Sequence, residues 1–369
     1  MAPDAAEELA AWLRLLLTPG IGRGGARQLL AAFGAPQAVF DASPAARQQC
    51  LGATPAAPLD EVPATHPTAL AILLAWLDGA AQRDWVTLGD ARYPQALLET
   101  ADPPLLLYTQ GDVSLLNTPC LAIVGSRNPT PQGGENAHAF AQHLGRAGLT
   151  IVSGLALGID GAAHSGALAG GAGTIAVVGT GLDRVYPRKH RDLAHRIAER
   201  GLIVSEFDLG TPPLAANFPQ RNRIIAGLSL GTLVVEAALE SGSLITARHA
   251  VECGREVFAI PGSIHSPQSR GCHALIKQGA KLVDDVRDVL DELRWTSAPV
   301  SSPAAAPGAA ADAADPLLIA MGYEPVELDQ LQARTGWPTA RLSAQLLELE
   351  LAGQVARLPG GRYQRAGKA

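Results

Sequence analysis

Cysteine is scarce in this chain of 369 residues, which contains only Cys50, Cys120, Cys253 and Cys272. No two of them form a C-x-x-C pair, and their spacing matches no zinc-binding pattern. We therefore expect no metal site, and instead buried thiols in a reducing cytosol.

Positive charge is not in excess either, because 29 Lys and Arg stand against 35 Asp and Glu, a formal net charge of −6. This balance excludes indiscriminate binding of nucleic acid through bulk charge, so any DNA site must be local. The N-terminus carries Asp4, Glu7 and Glu8 where a secretory signal would carry positive charge, and no apolar run is long enough to span a membrane. We expect a cytoplasmic protein that does not contact membranes.

Two common nucleotide-binding motifs are absent. No G-x-x-x-x-G-K-[ST] run occurs, which excludes a P-loop NTPase. The first glycine turn reads G-S-R where a dinucleotide-binding protein needs G-x-G-x-x-G, and GTGLDR at 179–184 lacks the third glycine. A dinucleotide-dependent oxidoreductase is therefore not indicated, and we expect no cofactor.

Shifts in composition divide the chain into domains, of which 369 residues predict two or three. The segment 297–314 is rich in Ala, Pro and Ser, as flexible linkers are. An Ala- and Pro-rich stretch at 52–68 ends the helical pattern of the first fifty residues, and strand signals begin only at Trp85. We predict a helical domain over 1–80, a middle domain over 85–294, the linker 297–314 and a C-terminal domain over 315–369.

In the middle domain, β-rich runs alternate with helical segments, and such a series pairs in parallel through right-handed crossovers. The predicted fold class is therefore α/β, with a Rossmann-like, doubly wound, mostly parallel sheet. The runs lie at 121–124, 150–153, 175–178, 202–206, 232–235, 256–260 and 281–283. In the C-terminal domain, helices at 315–321, 326–335 and about 338–352 precede two short strands, which predicts a winged-helix-like domain.

Three of the β-rich runs end in glycine and are followed by polar or basic residues. Glycine lets backbone N–H groups approach an anion closely, and the helix that follows adds the positive end of its dipole. More cations could converge on this edge of the sheet than one small nucleotide needs, which favours a phosphate polymer as the ligand. These cations are Arg127, Arg184, Arg188, Lys189, Arg221 and Arg223.

Several runs, in order along the chain, resemble the motifs of the DprA (Smf) family of DNA-processing proteins. They are VGSR at 124–127, SGLALGIDGAAH at 153–164, GTGLDRVYP at 179–187, FPQRNRIIAGLS at 218–229, VVEA at 234–237 and SGSLITA at 241–247. One glycine-rich turn alone would be weak evidence, but this succession is highly specific.

The resemblance implies a protein that binds single-stranded DNA entering the cell during natural transformation, protects it and helps to load the RecA recombinase onto it. It also implies a homodimer, no enzymatic activity and hence no catalytic residues. An N-terminal domain of SAM-like or helix-hairpin-helix-like type belongs to the same plan. The turn PGIG at 19–22 fits such a hairpin, which either holds a DNA phosphate or serves only as structure.

The predicted nucleic-acid-binding residues come from these runs. The family places a phosphate-contacting cation just after the Y-P pair, where Arg188 and Lys189 are both candidates. Phe218 either stacks on bases or packs in the core. Arg221 and Arg223 point in similar directions if their segment is extended and diverge if it is helical. The full set is Gly125, Ser126, Arg127, Gly154, Gly179, Gly181, Arg188, Lys189, Phe218, Arg221, Asn222, Arg223, Gly242 and Ser243.

Three titratable side chains in the same runs are interpreted as structural. Asp160 and His164 are four residues apart at a helix N-terminus, where capping, dipole compensation and packing explain them. Glu236 ends a buried strand and is expected to orient Ser243 or an arginine, because an acid cannot bind phosphate.

An enzymatic function is the alternative. The run SLGTLVVE at 229–236 resembles the P-G-G-x-G-T-x-x-E pattern of Rossmann-like nucleoside monophosphate hydrolases of the lysine-decarboxylase-like group. The leading P-G-G is absent, however, and three residues rather than two separate Thr232 from Glu236. We therefore interpret the similarity as distant kinship of fold without the active site.

Overall fold

A computed structural model describes residues 3–296, 315–323, 325–358 and 360–365, so the predicted linker at 297–314 lies outside the described residues. The N-terminal part is helical: α1 is Pro3–Leu17, α2 Gly22–Phe33, α3 Pro36–Asp41, α4 Pro44–Leu51 and α5 His66–Asp78. Leu9, Trp12 and Leu29 are buried between these helices. The same apolar cluster includes Leu106 and Tyr108 of the middle domain, so the helices pack directly on its sheet.

The middle domain contains nine strands in one sheet. They are β1 Arg83–Thr87, β2 Leu106–Gly111, β3 Cys120–Gly125, β4 Thr150–Ser153, β5 Thr174–Val177, β6 Leu202–Ser205, β7 Gly231–Glu236, β8 Glu256–Ala259 and β9 Lys281–Leu282. The helices of this domain are α6 Gln95–Leu98, α7 Pro131–Arg146, α8 Ile159–Gly170, α9 Arg191–Arg200, α10 Asn217–Leu228, α11 Ser243–Glu252, α12 Arg270–Lys277 and α13 Val286–Glu292. The predicted doubly wound α/β fold is confirmed.

The strand order is β1-β2-β6-β5-β4-β3-β7-β8-β9. From β6 to β9 all neighbours are parallel, whereas β2 pairs antiparallel with both β6 and β1. The chain winds outward from β3 to β6 and then returns to place β7 on the other side of β3. Ligands of open α/β sheets bind at such a switch point, outside the carboxyl ends of the two strands.

Alternate residues of the central strands face opposite layers of helices, as the period of two in a strand requires. Leu121 and Ile123 of β3 join one apolar cluster with residues of α7, α8 and α13. Ala122 and Val124 join another with residues of α10 and α11. Both faces of the sheet are thereby covered, which explains why these strands read as continuous apolar runs.

The C-terminal domain contains α14 Pro316–Met321, β10 Val326–Glu327, α15 Leu328–Thr335, α16 Thr339–Leu351, β11 Val355–Leu358 and β12 Arg362–Arg365. Its three strands form an antiparallel sheet in the order β10-β12-β11, so the predicted winged helix is confirmed. The helix expected from 326 begins only at Leu328, because Val326 and Glu327 pair with β12 instead. None of the helices in the described ranges combines the length and apolar character needed to cross a membrane.

Candidate nucleic-acid interface

A cavity of about 680 Å³ opens at the carboxyl ends of β3 and β7, the switch point of the sheet. Five segments that are far apart in sequence contribute its walls: the turn after β3, the turn after β4, Tyr186 in the turn after β5, helix α10 with the residues before it, and the start of α11 with the residues before it. The predicted residues that line it are Gly125, Ser126, Arg127, Phe218, Arg221, Asn222, Gly242 and Ser243. The topology therefore brings together eight of the fourteen predicted residues.

Arg221 lies at the floor of this cavity and is only 4% exposed. Its Nη1 donates to the carbonyl oxygens of Gly154, at 2.6 Å, and of Val177, and its Nε donates to Oδ1 of Asn222 at 3.0 Å. Burial lowers the pKa of Arg221 to about 10, against the attraction of Asp160. The guanidinium is therefore still charged at neutral pH, and it is a fixed cation beneath the site.

The turn after β4 is built around Asp160 and His164 of α8. Oδ2 of Asp160 accepts hydrogen bonds from the backbone N–H groups of Gly154 and Ala156, at 3.1 and 3.2 Å. Nε2 of His164 accepts from the N–H of Leu155, a residue in the left-handed region at φ +57°. These contacts agree with the structural interpretation of both side chains, since each one holds the turn that Arg221 contacts.

Burial also shifts the pKa of each of these groups. It raises the pKa of Asp160, although the charge of Arg221 and the hydrogen bonds from Ala156 and Gly154 act in the opposite direction. It lowers the pKa of His164 to about 3, with a further contribution from the charges of His190 and Arg221. His164 is therefore neutral at physiological pH.

An aromatic pair and an exposed cation form the rim of the cavity. The rings of Phe218 and Tyr186 lie 5.6 Å apart, centre to centre, with 41° between their planes. The guanidinium carbon of Arg127 lies 5.6 Å from the centre of the Phe218 ring. Tyr186 is 46% exposed, and Arg127 is exposed as well. Phe218 is half-buried, so it packs on the protein with one part and lines the cavity with another.

Three predicted glycines lie beneath this surface rather than on it. A Cβ at Gly154 would overlap the guanidinium of Arg221, and one at Gly179 would come 3.2 Å from the Phe218 ring. At Gly181 it would come 2.7 Å from the carbonyl oxygen of Asp208. These glycines therefore permit the close packing that positions Arg221, Phe218 and the neighbouring turn.

The two cations after the Y-P pair lie away from the cavity. Arg188 and Lys189 are exposed in a 3-10 turn before α9, and neither is among the lining residues. Arg188 instead lines a second cavity, which shares Tyr186 with the first. The predicted convergence of all these cations on one cavity is therefore not observed, whereas the role of Arg188 and Lys189 in binding nucleic acid stays a prediction.

Arg223 is also separated from the cavity. Since the segment is helical, Arg223 faces away from Arg221, and its Nη2 contacts both carboxylate oxygens of Glu206, at 2.5 and 2.6 Å. Its Nε lies 3.2 Å from Asp102. The expectation that Arg223 converges on the site is therefore corrected: two carboxylates hold it on the opposite face of α10.

Glu236 is the last residue of β7, and its side chain contacts the residue that caps α7. Its carboxylate accepts hydrogen bonds from the N–H and the hydroxyl of Thr130, at 2.9 and 2.6 Å. Thr130 caps α7 by accepting from the N–H of Gly133. This contact differs from the expected one with Ser243 or an arginine. The Ser243 hydroxyl lies 2.7 Å from that of Ser241.

Among the lining residues outside the predicted set, Tyr186 and Glu240 are the two exposed ones that carry a polar or charged group. Tyr186 stands in a run of cations, and an aromatic residue among cations was the signal that could have identified it. Glu240 also lines the cavity and is exposed, and the sequence gives no hint of its position there. Within the part of the chain that the structure describes, no three His, Cys, Asp or Glu side chains are grouped to hold a metal ion. Cys120 and Cys272 are buried, whereas Cys50 and Cys253 are partly exposed.

Comparison with known proteins agrees with this architecture. Residues 84–294 match the family model described as DNA recombination-mediator protein A, and residues 301–361 match the DprA winged helix domain. Protein Smf of Escherichia coli K12 is 48% identical over 284 residues, which cover 74% of this chain and 76% of that protein. DNA processing protein DprA of Streptococcus pneumoniae is 50% identical over 206 residues, covering 56% of this chain and 73% of that protein.

Two solved structures are similar in fold as well as in sequence. The crystal structure of DprA from Streptococcus pneumoniae aligns with a TM-score of 0.64 at 39% identity, over 78% of this chain and 97% of that one. DprA from Helicobacter pylori, whose structure is described for its mode of binding single-stranded DNA, aligns with a TM-score of 0.52 at 34% identity, over 57% of this chain and 96% of that one. This chain belongs to the DprA (Smf) family, because both family models match it and the similarity to Protein Smf extends over about three quarters of each chain.

Proposed function

We propose that this protein binds single-stranded DNA in the cavity at the switch point. The observation that carries the proposal is the rim, where the half-exposed ring of Tyr186 and the ring of Phe218 lie beside the exposed Arg127. Base stacking on aromatic side chains contributes about 1–3 kcal/mol per base and tolerates any sequence, while arginine holds the phosphate backbone.

Each part of the cavity has its own role in this proposal. Arg127 and the Ser126 hydroxyl contact phosphate at the end of β3, and the N-terminus of α11 at Gly242 and Ser243 faces the same space. Arg221 acts from below as a fixed positive charge, because its Nη1 already donates to two backbone carbonyls and its Nε donates to Asn222. A DNA site of this kind is local, as the net charge of −6 requires.

We further propose that binding protects incoming DNA and helps to load RecA during natural transformation, in the cytoplasm and as a homodimer. The match to a recombination-mediator family supports this assignment. RecA filament growth on single-stranded DNA, followed with and without the protein, tests the loading step. Light scattering after size exclusion tests the dimer.

We propose no enzymatic activity. Asp160 and His164, the pair that most resembles catalytic residues, hold the turn after β4 through backbone contacts. The nucleoside monophosphate hydrolase alternative depends on Glu236, whose carboxylate is engaged by Thr130 and which does not line the cavity. If the purified protein released free base from nucleoside monophosphates, the hydrolase alternative would be supported instead.

The test is fluorescence anisotropy of a labelled oligo-dT at several salt concentrations, with duplex and mononucleotide as competitors. Log K is expected to fall by about 0.7 per contacted phosphate for each log unit of salt. Arg127→Ala and Arg221→Ala should each weaken binding. Arg287→Ala is the control, because Arg287 is exposed on α13 and lines neither cavity. Unchanged affinity in both site variants would refute the proposed site.

A further inference from the structure

The second cavity continues the surface of the first beyond Tyr186. It measures about 600 Å³, and Tyr186 lines both cavities. Most of its walls come from β1, from the turn after β5 and from α9, and Tyr186 of that turn is the residue that it shares with the first cavity. Its charged and titratable lining residues are Arg83, Asp183, Arg184, Arg188, Arg191 and His195.

The charge of this groove is strongly positive, since four arginines line it against the single carboxylate of Asp183. Asp183 is already engaged, because Arg184 lies 2.8 Å from its carboxylate and the N–H of Gly210 donates to it at 2.8 Å. Arg188 and Arg191 are exposed, and neither forms an ion pair with any other residue that the structure describes. A protein of net charge −6 thus keeps a local cationic surface beside its main cavity.

Arg83 closes the groove on the side of β1 and is held in place. Its Nη1 donates to the carbonyl oxygen of Trp76 at 2.9 Å, and its guanidinium carbon lies 5.1 Å from the centre of the Trp76 ring. Because the end of α5 fixes this arginine, the groove has one rigid cationic wall. The more exposed Arg188 and Arg191 form the opposite side.

We propose that Arg83, Arg184 and Arg191 extend the DNA site beyond the phosphate contact that the family resemblance assigns to Arg188 or Lys189, so that this groove, lined by Arg83, Arg184, Arg188 and Arg191, binds the backbone phosphates of single-stranded DNA that flank the bases held in the switch-point cavity. The proposal rests on the proposed function, and it adds to that function the path that the strand follows over the protein surface. From the rim at Arg127 and Phe218, the strand passes over Tyr186 and continues along the start of α9. A phosphate polymer fits this arrangement because the two cavities adjoin at one aromatic residue.

The experiment compares a short oligo-dT of about 6 nucleotides, which fills the first cavity, with one of about 20, which also reaches the groove. The wild-type protein should bind the longer strand more tightly. Arg191→Gln should leave the affinity for the short strand unchanged, weaken binding of the long strand about three- to tenfold and lower its salt slope by about 0.7. Arg191→Glu should weaken the long strand further, and Arg191→Lys should restore most of the affinity.

Arg196→Gln is the matched control, because Arg196 is exposed on the same helix but does not line the groove. Equal losses for both lengths, or no loss for either, would overturn the proposal while leaving the switch-point site intact. Failure of the wild-type protein to bind either strand would refute the proposed function itself. Chemical denaturation of Arg191→Gln verifies that the variant is folded.

Discussion

Arg221 and Arg223 are two residues apart in the same helix, yet they serve different regions of the molecule. Two steps of an α-helix turn a side chain by about 200°, so the two arginines face opposite sides of α10. Arg221 donates to the carbonyls of Gly154 and Val177 at the sheet edge. Arg223 contacts Glu206 and Asp102. Although both arginines belong to one sequence motif, their partners show that Arg221 belongs to the cavity and Arg223 to the contact with the N-terminal helices.

The Arg223 side is a network of charges that ties the N-terminal helices to α10. Arg23 and Arg27 of α2 lie 2.8 and 2.5 Å from the carboxylate of Asp102, and Arg23 lies 3.6 Å from Glu206. Burial opposes ionisation of Asp102, but the hydrogen bond from Arg27 and the charges of Arg223 and Arg23 keep its pKa lowered overall. The cations that follow the N-terminal hairpin turn are therefore engaged with protein carboxylates.

The largest effect is expected from Arg221→Ala. It leaves two backbone carbonyls without their donor and Asp160 without its neighbouring charge, so the free energy of unfolding should fall by about 3–5 kcal/mol. Binding of single-stranded DNA should be lost as well. Arg221→Lys should recover only part of either property, because an ammonium group lacks the planar fork of donors. Chemical denaturation and anisotropy measure the two effects, and full stability in Arg221→Ala would contradict the buried role.

The turn under Arg221 predicts a pH effect of intermediate size. The pKa of His164 is about 3 in the folded protein and about 6.5 when unfolded, so both states are neutral above pH 6.5. Below that pH, His164 binds a proton in the unfolded state but not in the folded state. The free energy of unfolding therefore falls as the pH is lowered. By pH 5 this group alone should cost about 2 kcal/mol relative to pH 7.

His164→Gln is the comparison that isolates this effect. Its free energy of unfolding should be lower than that of the wild type at pH 7 but should depend less on pH between 7 and 5. If the free energy of unfolding depended on pH equally in the two proteins, the pKa of His164 would not be lowered by folding, and the prediction would fail.

A smaller effect on stability is expected from Arg223→Ala, about 1–2 kcal/mol, because partly buried carboxylates lose one of several cations. The affinity of the folded variant for single-stranded DNA should remain close to that of the wild type. A double-mutant cycle with Glu206→Gln should give a measurable coupling energy. Loss of DNA binding as severe as in Arg221→Ala would break the distinction between the two faces of α10.

The smallest effect on stability is expected from Arg127→Ala, within about 0.5 kcal/mol, since the side chain is exposed. Its affinity for single-stranded DNA should nevertheless fall about tenfold, with a lower salt slope. This result would show that Arg127 at the rim contributes to DNA binding without contributing to stability, in contrast to Arg221 at the floor. Unchanged affinity together with unchanged stability would remove Arg127 from the site.

The sequence predicts the fold well where local pattern and tertiary structure agree. The seven predicted runs become β3 to β9, and the central ones read as apolar because they are buried on both faces of a parallel sheet, whereas β9 is an exposed edge strand. Strands β1 and β2 were not recognised as part of it, since their antiparallel pairing to β6 is a long-range choice. The same is true of Val326, which looks helical until β12 supplies a partner.

Site residues were predictable by type but not by direction. The spacing of Arg221 and Arg223 left two geometries open, and only the helix with its partners on each side decides between them. Asp102 contacts Arg27 across 75 residues of sequence, a contact that no local pattern encodes. Arg188 is predicted from the sequence as a phosphate-contacting cation, but the cavity that it lines depends on where α9 packs.

The space that a methyl group would need at Gly154 is already filled by the guanidinium of Arg221. Positions 154 and 221 are therefore coupled in evolution, because any side chain at position 154 would displace the guanidinium at position 221. Any single substitution there should therefore change stability together with the proposed DNA affinity. Adaptive freedom lies at the exposed positions, such as 127, 188 and 191, where charge can change one residue at a time without disturbing the sheet.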